Sequence, residues 1–193
     1  MNAKKNIITI AGRPGSGKST TSKSLAAELG YAHFSSGDLF RSIIKDRGIE
    51  LTHANLIAEE IAEIDHAVDA KLREIGQSED QRVIDSRMAW FWIPDSFKVF
   101  LDLDLVTAAE RILASTDATR TDNEHVADNP VEYAQSLSKR LEGEARKYQR
   151  LYSANPYDTS NYDLVVDTNL NDATQTLEMI LREYIKWQSA DRA

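Results

Sequence analysis

Residues 12–19 read Gly12-Arg13-Pro14-Gly15-Ser16-Gly17-Lys18-Ser19, and this stretch decides the fold of the chain. It matches the pattern G-x-x-x-x-G-K-[ST] at every position. Glycines let the backbone turn tightly, so that successive N–H groups converge on a polyphosphate without a Cβ in the way. In this pattern Lys18 is expected to reach the β- and γ-phosphates, and the hydroxyl of Ser19 is expected to bind Mg²⁺. A chance match in a chain of this length has a probability on the order of one per cent.

The sequence on either side of this loop predicts a strand before it and a helix after it. Residues 6–11 are β-branched and almost continuously apolar, which is typical of a buried parallel strand. Residues 18–29 read as a helix that ends at Gly30. The positive end of that helix dipole would face the same anion as the loop. All eight loop residues and Thr20, in the first helical turn, are therefore candidates to contact a bound nucleotide.

Strands and helices alternate along the rest of the chain. Further strands are predicted at 31–35, 83–85, 97–103 and 163–166, and helices at 38–47, 52–75, 106–115, 131–152 and after 168. Such alternation predicts a doubly wound α/β fold, with a parallel sheet of about five strands covered by helices on both faces. No repeat, low-complexity tract or linker divides the chain, so residues 1–193 are expected to form one domain.

Composition excludes several classes of protein. The chain has 31 acidic and 23 basic residues, a net charge of −8, whereas nucleic-acid binding requires a basic surface. It has no cysteine, which excludes disulfide frameworks and thiolate metal sites. The longest apolar run, at 88–93, is too short to span a bilayer, and no signal-peptide pattern follows the first residues. We therefore expect a cytoplasmic monomer or weak homodimer that binds neither nucleic acid nor membrane.

Three further motifs follow the loop in chain order. They are Ser35-Ser36-Gly37-Asp38-Leu39-Phe40-Arg41, then Val83-Ile84-Asp85-Ser86-Arg87-Met88-Ala89-Trp90, then Arg140, Glu144, Arg146, Lys147, Tyr148 and Tyr152 ahead of Tyr162-Asp163-Leu164-Val165-Val166-Asp167-Thr168. Together with the loop they resemble the cytidylate kinase-like family of P-loop nucleoside monophosphate kinases, and most of all its short archaeal-type members. The resemblance covers nearly the whole chain.

The resemblance implies a P-loop kinase fold with a helical acceptor-binding region at about 36–80 and a mobile lid at about 105–150. It implies transfer of the γ-phosphoryl group of ATP, with Mg²⁺, to CMP or dCMP. Such a transfer brings two polyanions together, so the site needs several cations around both. Arginine suits this role because its planar fork binds phosphate oxygens in pairs and stays charged.

The resemblance also assigns roles to individual residues. It implies that the acceptor phosphate is bound by Arg41 and Arg87, and that Asp38 holds Arg41 in place. It implies that Ser19 and Asp85 lie at Mg²⁺ and that Arg111 lies on the ATP side. The implied catalytic cations are Lys18, Arg120, Arg140 and Lys147. Asp85 has a second interpretation, as a satisfied carboxylate at a strand end.

The chain departs from the family at two positions. Ser115 replaces a second arginine, for which Arg120 is the candidate substitute, and Lys147 replaces an arginine seven residues after Arg140. Lys147 is favoured because it shares a helical face with Arg140, whereas the neighbouring Arg146 is favoured by its chemistry.

The sequence leaves more than one interpretation of which residues bind the base. Asp65 and Asp69 lie four residues apart beside the apolar stripe of the helix at 52–75, so both can border the acceptor cleft. Asp65 is the candidate to accept from the N4–H₂ group of cytosine, and the alternative is that both are solvated helix carboxylates. The aromatic run at 90–92 is expected to pack beneath the acceptor site, with base stacking as its alternative.

Two other functions fit a phosphate loop. The first is a kinase of the same fold that acts on another nucleotide or a small metabolite, and the second is a low-turnover regulatory protein that binds nucleotide. Arginines at 41, 87 and 140 argue against the second, because a switch protein needs no second phosphate site.

Overall fold

The computed structural model describes residues 5–48, 58–115 and 129–190. Its strands are β1 Ile7–Gly12, β2 Ala32–Ser35, β3 Arg82–Asp85, β4 Phe97–Asp102 and β5 Leu164–Asp167. Its helices are α1 Lys18–Leu29, α2 Ser36–Asp46, α3 Ala58–Ser78, α4 Ala89–Trp92, α5 Leu105–Leu113, α6 Pro130–Tyr152 and α7 Ala173–Ala190, with a 3₁₀ turn at Thr159–Asn161. Each strand lies within one residue of its expected bounds, while the short helix α4 was not anticipated.

The five strands form one parallel sheet in the order β2-β3-β1-β4-β5. β1 lies at its centre, and all six of its residues are buried. From β1 the chain runs through β2 and β3 on one side of β1 and then crosses to β4 and β5 on the other side. Ligands bind at such a reversal of strand order. The register aligns Ile10 with Asp85 of β3 and Gly12 with Leu101 of β4. The carboxyl ends of these strands therefore surround the loop that follows β1.

Helices cover both faces of the sheet, as the alternation predicted. On one face Ile8 and Ile10 of β1 pack with Leu25 of α1 and Ile180 of α7. On the other face Ile7 packs with α3, whose Leu72 and Ile75 are fully buried. Successive strand residues point to opposite faces, so one apolar strand supplies both cores. In the part of the chain described, no helix combines the length and the apolarity needed to cross a membrane.

The regions expected to form the acceptor site and the lid each contain a smaller hydrophobic cluster. Ile44 of α2 packs with Ile64 of α3 to form the first. In the second, Ala108 and Ile112 of α5 pack with a buried Tyr133 of α6. Residues 116–128, in the expected lid, lie outside the described residues, as do 52–57 of the expected helix. Movement of the lid remains a prediction.

We predict that Gly12→Ala destabilises the protein, because Gly12 has a φ of +149° and a Cβ there would lie 2.3 Å from the carbonyl oxygen of Leu101. Strain of this kind costs roughly 1–3 kcal/mol even before the clash is counted. Gly143→Ala is the matched control, since Gly143 is inside α6 and a Cβ there would meet none of the described heavy atoms within 4 Å. That variant should gain about 0.5–1 kcal/mol. Urea unfolding of both variants tests this, and equal stability would contradict it.

Candidate active site

Besides Gly12, two residues of the glycine-rich loop have positive φ. Gly15 has a φ of +71°, and a Cβ there would lie 3.0 Å from the carbonyl oxygen of Ala108 in α5. Gly17 has a φ of +83° and precedes α1 without a side chain that could cap it. The first N–H groups of α1 therefore need another partner. Ser16 adds a buried hydroxyl that finds no hydrogen-bond partner among the described residues. These features fit a bound phosphate chain.

Lys18 and Ser19 connect this loop to its surroundings. The Nζ of Lys18 donates to the carbonyl oxygen of Arg13 at 2.8 Å, so its ammonium group lies over the loop. The Oγ of Ser19 donates to Oδ2 of Asp85 at 2.7 Å. A hydroxyl and a carboxylate oxygen are ligands that Mg²⁺ accepts, directly or through water. The two metal-site candidates thus lie together at the carboxyl ends of β1 and β3, and their chemistry fits the ion.

A cleft of about 790 Å³ extends from the loop to α6. Its charged lining comes from five elements: Lys18 and Lys23 of α1, Asp38 and Arg41 of α2, Asp65 and Asp69 of α3, Asp85 and Arg87 around the end of β3, and Arg140, Glu144 and Lys147 of α6. The fold therefore brings most of the sequence-predicted site residues to one cavity.

On the α2 side, Asp38 and Arg41 form an ion pair, as the sequence predicted. Ser35 caps the helix, because its Oγ accepts from the backbone N–H of Asp38 at 3.1 Å. A Cβ at Gly37 would lie 3.4 Å from a terminal nitrogen of Arg41, so this glycine leaves room for the guanidinium. The pair is about half exposed and faces the open cleft.

Glu144 forms ion pairs with both Arg87 and Arg140, the two other arginines predicted to bind phosphate. Its Oε2 lies 3.1 Å from Nε of Arg87 in an ion pair, and its Oε1 accepts from Nε of Arg140 at 3.2 Å. Burial opposes ionisation of Glu144, but the two arginines outweigh it and lower its pKa. Burial likewise opposes the charge of Arg87, but Glu144, Tyr157 and Tyr148 together more than offset this, so the pKa of Arg87 is raised. The sequence motifs assigned Glu144 no role, although its place four residues after Arg140 was a signal for an ion pair.

Lys147 lies in the cleft and forms an ion pair with Asp65 of α3. Its neighbour Arg146 is 74% exposed and pairs instead with Glu142 on the outer side, at 3.7 Å. Of the two cations that the sequence left open, Lys147 is therefore the one that reaches the acceptor side. Helical periodicity explains the choice, since residues seven apart, such as Arg140 and Lys147, share a face.

Asp69 is not a solvated helix carboxylate, because it is only 6% exposed. Its Oδ1 accepts from the indole N–H of Trp92 at 2.8 Å, and its Oδ2 accepts from the hydroxyl of Tyr152. The aromatic run supports the site in a second way, since the indole N–H of Trp90 donates to the carbonyl oxygen of Arg87 at 2.9 Å. The aromatic side chains of α4 thus pack against acceptor-side residues, as expected.

Two of the remaining candidates, Arg13 and Arg111, contact residues at the ends of β4 and β5. Nε of Arg13 donates to Asp102 at 2.5 Å, and a terminal nitrogen of Arg111 donates to the carbonyl oxygen of Thr168 at 2.8 Å. Thr20 is exposed in the first turn of α1. Arg120 lies outside the described residues, so its predicted part in the lid stays a prediction.

Known proteins resemble the chain in both sequence and fold. A family model described as an AAA domain matches residues 11–127. Cytidylate kinase from Natronomonas pharaonis is 40% identical over 165 residues, which are 84% of this chain and 80% of that protein. Cytidylate kinase from Haloarcula marismortui is 38% identical over 91% of this chain and 87% of its own length. Cytidylate kinase from Methanothrix thermoacetophila is 35% identical over 91% and 95%.

Solved structures agree on the fold. A shikimate kinase from Acinetobacter baumannii has a TM-score of 0.61 at 16% identity, over 95% of this chain and 94% of its own. A gluconokinase from Sinorhizobium meliloti has a TM-score of 0.57 at 17% identity, over 97% and 95%. The likeness to both extends over almost the whole of each chain and concerns the fold alone. From its loop, its acceptor-side arginines and its relatives, the chain belongs to the cytidylate kinase family of P-loop kinases.

Proposed function

We propose that this protein transfers the γ-phosphoryl group of ATP to CMP or dCMP, with Mg²⁺, and releases the nucleoside diphosphates. The observation that carries the proposal is one cleft with two groups of cations, the phosphate loop at one end and Arg41, Arg87 and Arg140 at the other. A second phosphate site is what a kinase needs and a switch protein does not. The relatives named above are cytidylate kinases, which favours CMP over another acceptor.

On the donor side, the loop N–H groups and the N-terminus of α1 bind the β- and γ-phosphates of ATP. Lys18 exchanges its contact with the Arg13 carbonyl for a phosphate oxygen and follows the charge as the γ-phosphoryl group leaves. A bound Mg²⁺ would offset part of the negative charge of the nucleotide phosphates. Ser19 would hold it directly and Asp85 through a water. Arg13, Thr20 and Arg111 complete the nucleotide-binding set.

On the acceptor side, Arg41 and Arg87 bind the monophosphate, while Arg140 and Lys147 of α6 approach the transferred group. The nucleophile is a phosphate oxygen that is already an anion, so no strong base is needed. Each of these cations is held by a carboxylate, with Asp38, Glu144 and Asp65 as the partners. These pairs hold long side chains in place and reduce the ordering that substrate must impose.

We also propose that residues 105–150, including Arg120, close over both substrates and exclude water. The protein acts in this proposal as a cytoplasmic monomer or weak homodimer, without nucleic acid or membrane as a partner. A chain without cysteine needs no oxidising compartment.

The first experiment is an ADP-release assay across CMP, dCMP, UMP, AMP and GMP, with Lys18→Ala beside the unchanged enzyme. We expect the highest kcat/KM for CMP and dCMP, and a loss of kcat of at least ~10²-fold in the variant. Lys186→Ala is the control, because this lysine is exposed on α7, remote from the cleft. Preference for another acceptor would favour the alternative kinase function, and nucleotide binding without turnover would favour a regulatory protein.

Arg41→Ala should raise the KM for CMP by about 10-fold or more and leave the KM for ATP nearly unchanged. It removes a charge-assisted hydrogen bond worth roughly 1.5–3 kcal/mol. Arg47→Ala is matched to it, since Arg47 ends the same helix but pairs with Glu63 away from the cleft. Steady-state kinetics in both substrates provide the measurement. An equal rise in the KM for CMP and the KM for ATP would contradict the assignment of Arg41 to the acceptor phosphate.

Asp65→Asn should lower the ratio of kcat/KM for CMP to that for UMP. Asp65 borders the cleft, and its carboxylate can accept from the N4–H₂ group of cytosine, whereas an amide can donate to O4 of uracil. Loss of the ion pair to Lys147 affects both substrates, so the ratio isolates the base. Asp69→Asn serves as control, because Trp92 and Tyr152 occupy both oxygens of Asp69. An unchanged ratio in Asp65→Asn moves base recognition to Ser35 or Ser36.

A further inference from the structure

Tyr157 makes a contact that nothing in the sequence motifs anticipated. It lies five residues after the end of α6, between that helix and the 3₁₀ turn. Its hydroxyl donates to Oε2 of Glu144, the same oxygen that forms the ion pair with Arg87. The backbone around it is fixed, since the N–H of Tyr157 donates to the side chain of Asn155 at 3.0 Å. Its ring packs against the aromatic cluster that lies on β4.

Glu144 is the group through which Tyr157 reaches the site. Its two oxygens contact the Nε atoms of Arg87 and Arg140, which come from the turn after β3 and from α6. A carboxylate that contacts both Nε atoms determines how both guanidinium planes are turned. The orientation of this one carboxylate therefore affects two of the cations assigned to phosphate binding.

We propose that Tyr157 is a positioning residue: its hydroxyl holds the Glu144 carboxylate, which in turn orients Arg87 and Arg140 toward the acceptor phosphate. The inference rests on the proposed function for its consequence in catalysis, but the orientation of the arginines is a property of the protein alone. Tyr157 does not touch substrate in this proposal. It acts through Glu144 and through its own interaction with Arg87.

A neutral hydroxyl suits this position better than a fourth charged group. Two arginines and one glutamate leave a net positive charge at the place where the anionic acceptor binds. A further carboxylate would cancel that charge, and a further cation would compete with the arginines for Glu144. Burial raises the pKa of Tyr157, so its hydroxyl remains protonated and remains a donor across the working range of pH.

The kinetic experiment compares Tyr157→Phe with Tyr162→Phe. Both tyrosines pack in the same aromatic cluster and donate one hydrogen bond, but the hydroxyl of Tyr162 donates to the carbonyl oxygen of Pro156 at 2.7 Å. We expect Tyr157→Phe to raise the KM for CMP about threefold to tenfold, with the KM for ATP nearly unchanged. Tyr162→Phe should leave the KM for CMP unchanged. Equal effects of the two variants would overturn the inference.

A combined variant tests whether the effect passes through Glu144. With Glu144→Ala in place, adding Tyr157→Phe should raise the KM for CMP by a smaller factor than it does alone, because the carboxylate is gone and only the interaction with Arg87 remains. Thermal unfolding of each variant shows that it folds. An additive increase would mean that Tyr157 acts by another route, which contradicts the proposal.

NMR of the arginine Nε–H groups tests the positioning without any turnover. Signals of Arg87 and Arg140, assigned with Arg87→Lys and Arg140→Lys, should shift in Tyr157→Phe and stay in place in Tyr162→Phe. Unchanged signals in Tyr157→Phe would overturn the inference whatever the activity. Shifted signals in a protein that phosphorylates no monophosphate would support the positioning and reject the proposed function, so the two failures are distinguishable.

Discussion

Parallel pairing of β1 with β3 and β4 is the constraint on which the site depends. The pairing with β3 brings Ser19, at the start of α1, within hydrogen-bond distance of Asp85. The pairing with β4 places Gly12 so close to the carbonyl of Leu101 that only a glycine fits there. The direction in which the chain leaves β1 follows from this contact, and the phosphate loop and α1 follow from that direction. Burial of all six β1 residues holds the arrangement in place.

In this acidic chain, four of the cations that line the cleft are each paired with a carboxylate. Arg41 is held by Asp38, Arg87 and Arg140 share Glu144, and Lys147 is held by Asp65. Pairs that are partly exposed contribute little to stability, so their value lies in orientation. A phosphate brings more negative charge than one carboxylate and can compete for these cations when it arrives. The same pairs reduce repulsion among cations that line one cleft.

Contacts between α3 and α6 define the acceptor half of the cleft. Asp65 and Asp69, one helical turn apart on α3, bond to Lys147 and Tyr152 of α6. Asp69 also bonds to Trp92 of α4, so three helices meet at one buried carboxylate. Its surroundings are aromatic, and a carboxylate there is tolerated because both oxygens are hydrogen-bonded. The two aspartates thus differ in kind, one bordering the open cleft and the other forming part of the framework.

The order of the strands and of every described helix except α4, the phosphate loop and the family could all be predicted from the sequence, because each depends on local patterns. Strand bounds follow from apolar runs, helix ends from residues such as Gly30, and the loop from glycines at fixed spacing. The Asp38–Arg41 pair was equally local, since the two residues lie one helical turn apart.

Only the tertiary structure decided which distant side chains meet. It paired Lys147 with Asp65, 82 residues away in the chain, and buried Asp69 against Trp92 and Tyr152. It also joined Arg87 to Glu144 and Tyr157, which come from separate elements. No pattern in the sequence encodes these contacts singly, because they depend on how α3 and α6 pack against the sheet. The residues available to build the site were determined locally, and their partners were determined by the packing of elements far apart in the chain.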